Sequence, residues 1–182
     1  MAKIKSPAML EEYRNEILRK RKYYFRTISL CGGPGCHAQH CDEIYEAVKK
    51  AVEENGLSEN VEVKKTGCHG FCEMGPIAVI QPEGIFYKKI SLDDVSDIVN
   101  RTLGKGELIK ELLYPDPENG KPITKESRVP FYAKQKRLLM SMNEYIDPCK
   151  IEDYIAQGGY SALCKALFEM EPMEIIEEVD KA

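Results

Sequence analysis

Two pairs of cysteines constrain this chain more than any other feature. The first closes the run Cys31-Gly-Gly-Pro-Gly-Cys36 and is followed by His37-Ala-Gln-His40-Cys41. The second lies in Gly67-Cys68-His69-Gly-Phe-Cys72-Glu-Met-Gly-Pro76. The chain has seven cysteines, an odd number, so a closed set of internal disulfides is excluded. The start, Met1-Ala-Lys-Ile-Lys5, lacks the apolar stretch of a secretory signal. A reducing, cytoplasmic setting is expected, and there clustered thiols read as metal ligands or redox groups. With 43% hydrophobic and 31% charged residues, the 182-residue chain has enough apolar material for a core without staples. No apolar run approaches the ~18 residues of a membrane span. A net charge of −4 argues against nucleic acid as the main partner.

Hydropathy patterns divide the chain at residues 25, 104 and 130. Residues 1–25 carry seven Lys/Arg against three Asp/Glu, with Leu10, Tyr13, Ile17 and Tyr24 at helical spacing, and are expected to form one amphipathic helix. Residues 26–104 alternate strand and helix patterns. Strands are expected at Arg26–Leu30, Val61–Thr66, Ile77–Gln81 and Gly84–Ile90. A helix is expected over Gln39–Asn55, with Ile44, Val48, Ala51 and Val52 on one face and Gly56 as its stop. A second starts at Ser91, with Asp94 as a capping partner, and ends near Gly104. The order is β-α-β-β-β-α, an α/β fold. Residues 105–130 read as a linker, with a turn-rich Pro115–Pro122 stretch. From 131 to 182 the pattern is helical, with starts after Pro148, near Gly159 and at Pro172.

Each cysteine group follows a predicted strand. If the two strands are parallel neighbours, their loops open at the same sheet end and four thiolates can converge there. The surrounding glycines let the backbone approach an inorganic cluster, whose sulfurs accept N–H hydrogen bonds. Phe71, Met74 and Ile77 would form the apolar wall. Cys41 introduces an ambiguity, because Cys36-x4-Cys41 repeats the spacing of Cys31-x4-Cys36. Cys31 and Cys36 are preferred as ligands, since Cys41 falls in the first turns of a helix. Cys149 and Cys164 read as small core residues of the helical tail. His37, His40 and His69 read as exposed loop residues. A zinc-stapled docking module is the main alternative, although neither pair has the C-x2-C spacing of zinc knuckles. A thiol enzyme would want C-x-x-C. A Rieske centre would need histidines at a different spacing from His37 and His69.

These motifs carry a family resemblance. C-x4-C, a gap of 31 residues and C-x3-C resemble the thioredoxin-like [2Fe-2S] ferredoxin module. The tail runs Phe131-Tyr-Ala-Lys-Gln-Lys-Arg, Ile146-Asp-Pro148 and Ile151-Glu-Asp-Tyr-Ile-Ala-Gln-Gly-Gly-Tyr-Ser-Ala-Leu163. It resembles the opening of the flavin-binding subunit of NADH dehydrogenase (complex I), and most of all the fused NAD(P)-linked diaphorase beta subunit of multisubunit [FeFe]-hydrogenases. The resemblance implies that Cys31, Cys36, Cys68 and Cys72 hold one [2Fe-2S] cluster through iron. It implies no catalytic residue in this chain, whose role would be electron transfer. The partners implied are other subunits of a hydrogenase or NADH-oxidising complex and a ferredoxin or another iron–sulfur subunit. FMN and NAD(P)H would bind in a downstream domain. The chain ends at Lys181-Ala182 without a G-x-G-x-x-G run, so it is expected to be the front piece of a longer subunit, inactive by itself in NADH oxidation.

Overall fold

The computed structural model describes residues 4–21 and 23–182. Ser6 and Pro7 start the first helix, α1 (Pro7–Arg21), where proline suits the first turn and the Ser6 Oγ accepts the Met9 N–H at 3.3 Å. Arg19, Lys20 and Arg21 occupy its last turn, where cations oppose the helix dipole. Leu10 and Ile17 are buried, as their spacing predicts. Tyr24 departs from the expectation: it lies beyond the helix and is exposed. The described residues fall into two compact units, residues 23–148 and a second made of residues 4–21 with 149–182.

The larger unit is built on a four-stranded sheet. Strands β1 (Arg26–Cys31), β2 (Val61–Thr66), β3 (Ala78–Gln81) and β4 (Ile85–Tyr87) lie in the order β2-β1-β3-β4. The β1–β2 pair is parallel, with Cys31 opposite Thr66, and the β1–β3 and β3–β4 pairs are antiparallel. A short turn of helix, α2 (Pro34–His37), precedes α3 (Cys41–Glu54), which crosses from β1 to β2. On α3, Cys41, Ile44, Val48 and Val52 are buried, the apolar face that the sequence period requires. Gly56, at φ +67°, ends that helix where a Cβ would strain the backbone.

After β4, Ser91 and Asp94 form a capping box. The following helix is composite: a 3-10 turn at Leu92–Asp94, α4 (Val95–Asp97) and a wider π turn at Ile98–Leu103. The core runs between this helix, α3 and the sheet, through Ile28, Leu30, Val48, Ile80, Ile98 and Val99. Residues 105–130 pack onto the edge of β4. Tyr87 bridges to Leu113 and Ile85 to Lys125, and the buried Tyr87 hydroxyl lies 2.8 Å from Thr102 Oγ1 and accepts the Ile109 N–H at 3.0 Å. The turn-rich stretch is a hairpin of β5 (Tyr114–Pro115) and β6 (Pro122–Ile123). Beyond α5 (Pro130–Ala133) the chain is turns as far as residue 150, so the helical expectation from 131 onward holds only in part. The segment follows long-range contacts described below rather than a local helical period.

In the smaller unit α1 meets α6 (Ile151–Ala156) and α7 (Ser161–Phe168), and α8 (Pro172–Lys181) completes the tail. The three tail helices begin where the sequence predicts. Arg14 donates to the Ile155 carbonyl at 2.9 Å and to Ser161 Oγ at 2.8 Å, and Arg21 pairs with the buried Asp153. Leu10, Ile17 and Ile155 form its small core. Leu163, Leu167, Phe168, Ile176 and Val179 remain exposed. No described helix is long and apolar enough to cross a membrane.

Candidate metal centre

The parallel pairing of β1 and β2 places both cysteine loops at one sheet end. Cys31 is the last residue of β1, and its N–H donates to the Ile77 carbonyl at 3.0 Å. Gly32 then donates to the Thr66 carbonyl at 2.9 Å, which ties the first loop to the start of the second. Pro34 begins the α2 turn that carries Cys36 inward. In the second loop Gly70 takes φ +88°, and its N–H points back to the Cys68 sulfur at 3.3 Å.

The loops interleave through their glycines. A Cβ on Gly33 would come within 2.9 Å of Cys68 Sγ, one on Gly35 within 3.2 Å of Cys72 Sγ, and one on Gly75 within 2.8 Å of Cys36 Sγ. Three side-chain-sized spaces are thus occupied by sulfur. Cys31 and Cys36 face each other closely enough for each thiol to act on the other, as do Cys68 and Cys72. The contact from Cys36 holds the Cys31 thiol well below the usual thiol range, and the N–H groups of His69 and Gly33 pull the same way against burial. Cys36 is pushed up correspondingly, although the Ile77 N–H favours its thiolate. Cys31 and Cys36 are buried, Cys68 is half-buried and Cys72 is exposed.

An apolar wall backs the sulfurs. Phe71, Ile77, Val79, Phe86, Val129 and Tyr132 share one cluster with Cys31, Cys36 and Cys41, and Met74 packs against it. Phe71 stacks on Phe131 with ring centroids 4.1 Å apart. Cys41 is buried beside this wall as the first residue of α3, and desolvation lifts its thiol to about 11. Cys149 is exposed, in the turn before α6, which corrects the expectation of a core thiol there, whereas Cys164 on α7 is half-buried against the small core of Leu10, Ile17 and Ile155.

The histidines divide. His37 and His40 are exposed, facing Asp42 at 2.7 Å and Glu43 at 3.0 Å. His69 corrects the expectation of an exposed loop residue: it is 1% exposed. Its Nε2 lies 2.8 Å from Thr66 Oγ1, and its Nδ1 lies 3.8 Å from Glu126 Oε1. Burial lowers its pKa and keeps the ring neutral. Asn143 donates to the Cys68 carbonyl at 3.2 Å and packs where Gly67 leaves room. Glu126, Arg137, Asn143 and Glu144 escape sequence reading altogether, because no local pattern links them to loops far earlier in the chain.

A donor set of four cysteines, three glycines placed where a Cβ would strike sulfur, and N–H groups aimed at sulfur together suit a compact iron–sulfur group. Comparison with known proteins agrees with this chemistry. The family model of the thioredoxin-like [2Fe-2S] ferredoxin matches residues 16–103. The chain is 39% identical over 77 residues to a [2Fe-2S] ferredoxin of Clostridium pasteurianum, a match spanning 42% of this chain and 76% of that protein. It is 30% identical over 88 residues to a [2Fe-2S] ferredoxin of Aquifex aeolicus (strain VF5), spanning 48% and 77%. The crystal structure of the wild-type thioredoxin-like [2Fe-2S] ferredoxin from Aquifex aeolicus superposes with a TM-score of 0.46 at 28% identity, covering 49% of this chain and 95% of that one.

Proposed function

This chain belongs to the thioredoxin-like [2Fe-2S] ferredoxin family, and from that premise we propose that Cys31, Cys36, Cys68 and Cys72 hold its [2Fe-2S] cluster for electron transfer. The observation that carries the assignment is the interleaving of Gly33, Gly35 and Gly75 with the sulfurs of Cys68, Cys72 and Cys36. When bound, the cluster supplies a single reversible electron at a potential the protein tunes. The residues of the chain do the tuning. The N–H groups of Gly33, His69, Gly70 and Ile77 point at cysteine sulfur and favour added negative charge, so they raise the potential. Phe71, Ile77 and Val129 exclude water from the inner sulfurs. The exposed Cys72 marks the side from which an electron partner can approach most closely. Cys41 stays outside the ligand set in this reading.

A wider context follows from the tail. The resemblance of residues 131–163 to the opening of a flavin-binding subunit supports a chain that feeds electrons to or from an FMN- and NAD(P)H-binding domain. Its partners would be subunits of a hydrogenase or NADH-oxidising complex in the cytoplasm. In that arrangement residues 26–104 carry the cluster, and residues 131–182 lead to the flavin side.

Anaerobic reconstitution of the purified chain with iron and sulfide tests the core of the reading. The expected result is a red-brown protein with two iron and two sulfide per chain, as a [2Fe-2S] cluster requires. Dithionite should then produce the paramagnetic signal of a reduced [2Fe-2S] centre. A colourless protein retaining stoichiometric zinc would overturn it.

A further inference from the structure

Behind the second cysteine loop lies a buried polar cluster that electron transfer does not use. It consists of His69, Glu126, Glu144 and Arg137, with Tyr132 and Tyr145 at its edge. His69, Glu126 and Glu144 are all buried. His69 Nε2 is engaged by Thr66 Oγ1 at 2.8 Å, and Thr66 Oγ1 also lies 3.2 Å from the Leu30 carbonyl. The other ring nitrogen, Nδ1, faces Glu126 Oε1 at 3.8 Å, and neither atom has a hydrogen-bond partner among the described residues.

Buried polar atoms that face each other without a partner call for a group between them. Arg137 does not fill the place: its Nη2 is engaged with Glu144 Oε2 at 3.1 Å, its guanidinium lies 4.9 Å from the Tyr132 ring centroid, and its Nη1 is itself buried without a partner among the described residues. Burial raises the pKa of Glu126 and of Glu144, so a proton is readily held between them when no ion is bound. One ligand atom from each of His69, Glu126 and Glu144 lies within 4.8 Å of the others. Metal–nitrogen and metal–oxygen bonds of about 2.0–2.2 Å set donors of one ion up to roughly 4 Å apart, so small side-chain rotations would close the set. A cavity of about 470 Å³, lined by Lys125, Glu126, Tyr132, Arg137 and Glu144, gives an ion a way in.

The geometry points to a second metal site, distinct from the cysteines, in which His69 Nδ1, Glu126 and Glu144 bind one first-row divalent cation. One imidazole nitrogen and two carboxylates suit Mn2+, Fe2+ or Zn2+ and offer nothing to soft ions. The cation displaces any proton held by the two glutamates, which leaves to solvent, and Arg137 keeps its hold on Glu144 Oε2. The site rests on the side chains just named and not on which cysteines hold the cluster.

The test uses Mn2+, which competes poorly for thiolates and so leaves the cysteines alone. The cluster-loaded protein is titrated with Mn2+, and free ion is read by electron paramagnetic resonance. One bound equivalent per chain is expected. Glu126→Gln and Glu144→Gln, each close in shape to the native residue, should weaken binding by about tenfold or more. The exposed Glu118→Gln should not change it. Bound Mn2+ should also speed the spin relaxation of the reduced cluster, which a surface carboxylate site would not. The visible spectrum, recorded on every sample, reports the cluster independently, so its loss counts against the ligand assignment and not against this site. The proposal is overturned if the wild-type protein shows no saturable binding at millimolar Mn2+, or if both glutamine variants bind as the wild type does. The three groups would then hold a proton and nothing more.

Discussion

A Cβ on Gly33 would stand 2.9 Å from the sulfur of Cys68, a residue of the opposite loop. This single contact joins the two cysteine motifs, which lie far apart in sequence and share one sheet end. Gly33→Ala should therefore act on the metal centre rather than on the core. The added methyl must displace the sulfur or the loop, at an overpacking cost of about 1–3 kcal/mol. Iron and sulfide content per chain after reconstitution should fall to roughly half of wild type or lower, while circular dichroism stays native-like. Full cluster content would show that the loops part more readily than their packing indicates.

Removing individual thiols should separate the seven cysteines. Alanine at Cys31, Cys36, Cys68 or Cys72 deletes a donor, and most of the visible absorption should disappear in each variant. Alanine at Cys149 or Cys164, both in the other unit, should leave the spectrum unchanged. Cys41→Ala should also retain the cluster, with some loss of stability, because Cys41 is packed against the apolar wall. A Cys41 variant that bleaches while Cys36→Ala keeps its colour would exchange their roles.

The Tyr87 hydroxyl accepts the Ile109 N–H at 3.0 Å and lies 2.8 Å from Thr102 Oγ1, all within the core. Tyr87→Phe leaves that amide without a partner, at a cost of about 1–3 kcal/mol. Urea unfolding should show the loss, and the cluster spectrum should not change. An unaltered midpoint would mean that residues 105–113 add little to the stability of the sheet.

Burial raises the pKa of Glu126, outweighing its hydrogen bond to Glu144 and the nearby Arg137 charge. The folded protein therefore holds a proton that the unfolded chain has released. Stability should decline as pH rises from the ordinary glutamate range, about 4.3, through the raised folded-state value. Glu126→Gln removes that share of the decline. Urea unfolding of the cluster-loaded protein between about pH 5 and pH 8 should give a flatter profile for the variant than for wild type. Parallel profiles would place an ionised carboxylate at Glu126 in the folded state.

Strand ends, helix faces and caps were legible because each depends on neighbours within a few residues. Val48 and Val52 are buried together on α3 because they share a helical face, and Ser91 caps because Asp94 stands three positions on. The meeting of the two cysteine loops was legible for a related reason: each pair follows a strand, and two parallel strands leave their loops at one end. His69 was misread because exposure depends on what comes to cover a loop, and its cover is Glu126, far along the chain.

By itself the sequence determined the spacing of the cysteines, the glycines between them, and the alternation of strand and helix that carries them. These are local properties, encoded by residue type and period. Only the tertiary structure decided that α1 packs with the tail helices, that residues 105–130 cover the edge of β4, and that His69 and Glu126 meet in the dark of the core. Those outcomes are contacts between distant segments, chosen by which apolar surfaces must be hidden from water, and no short pattern records that choice.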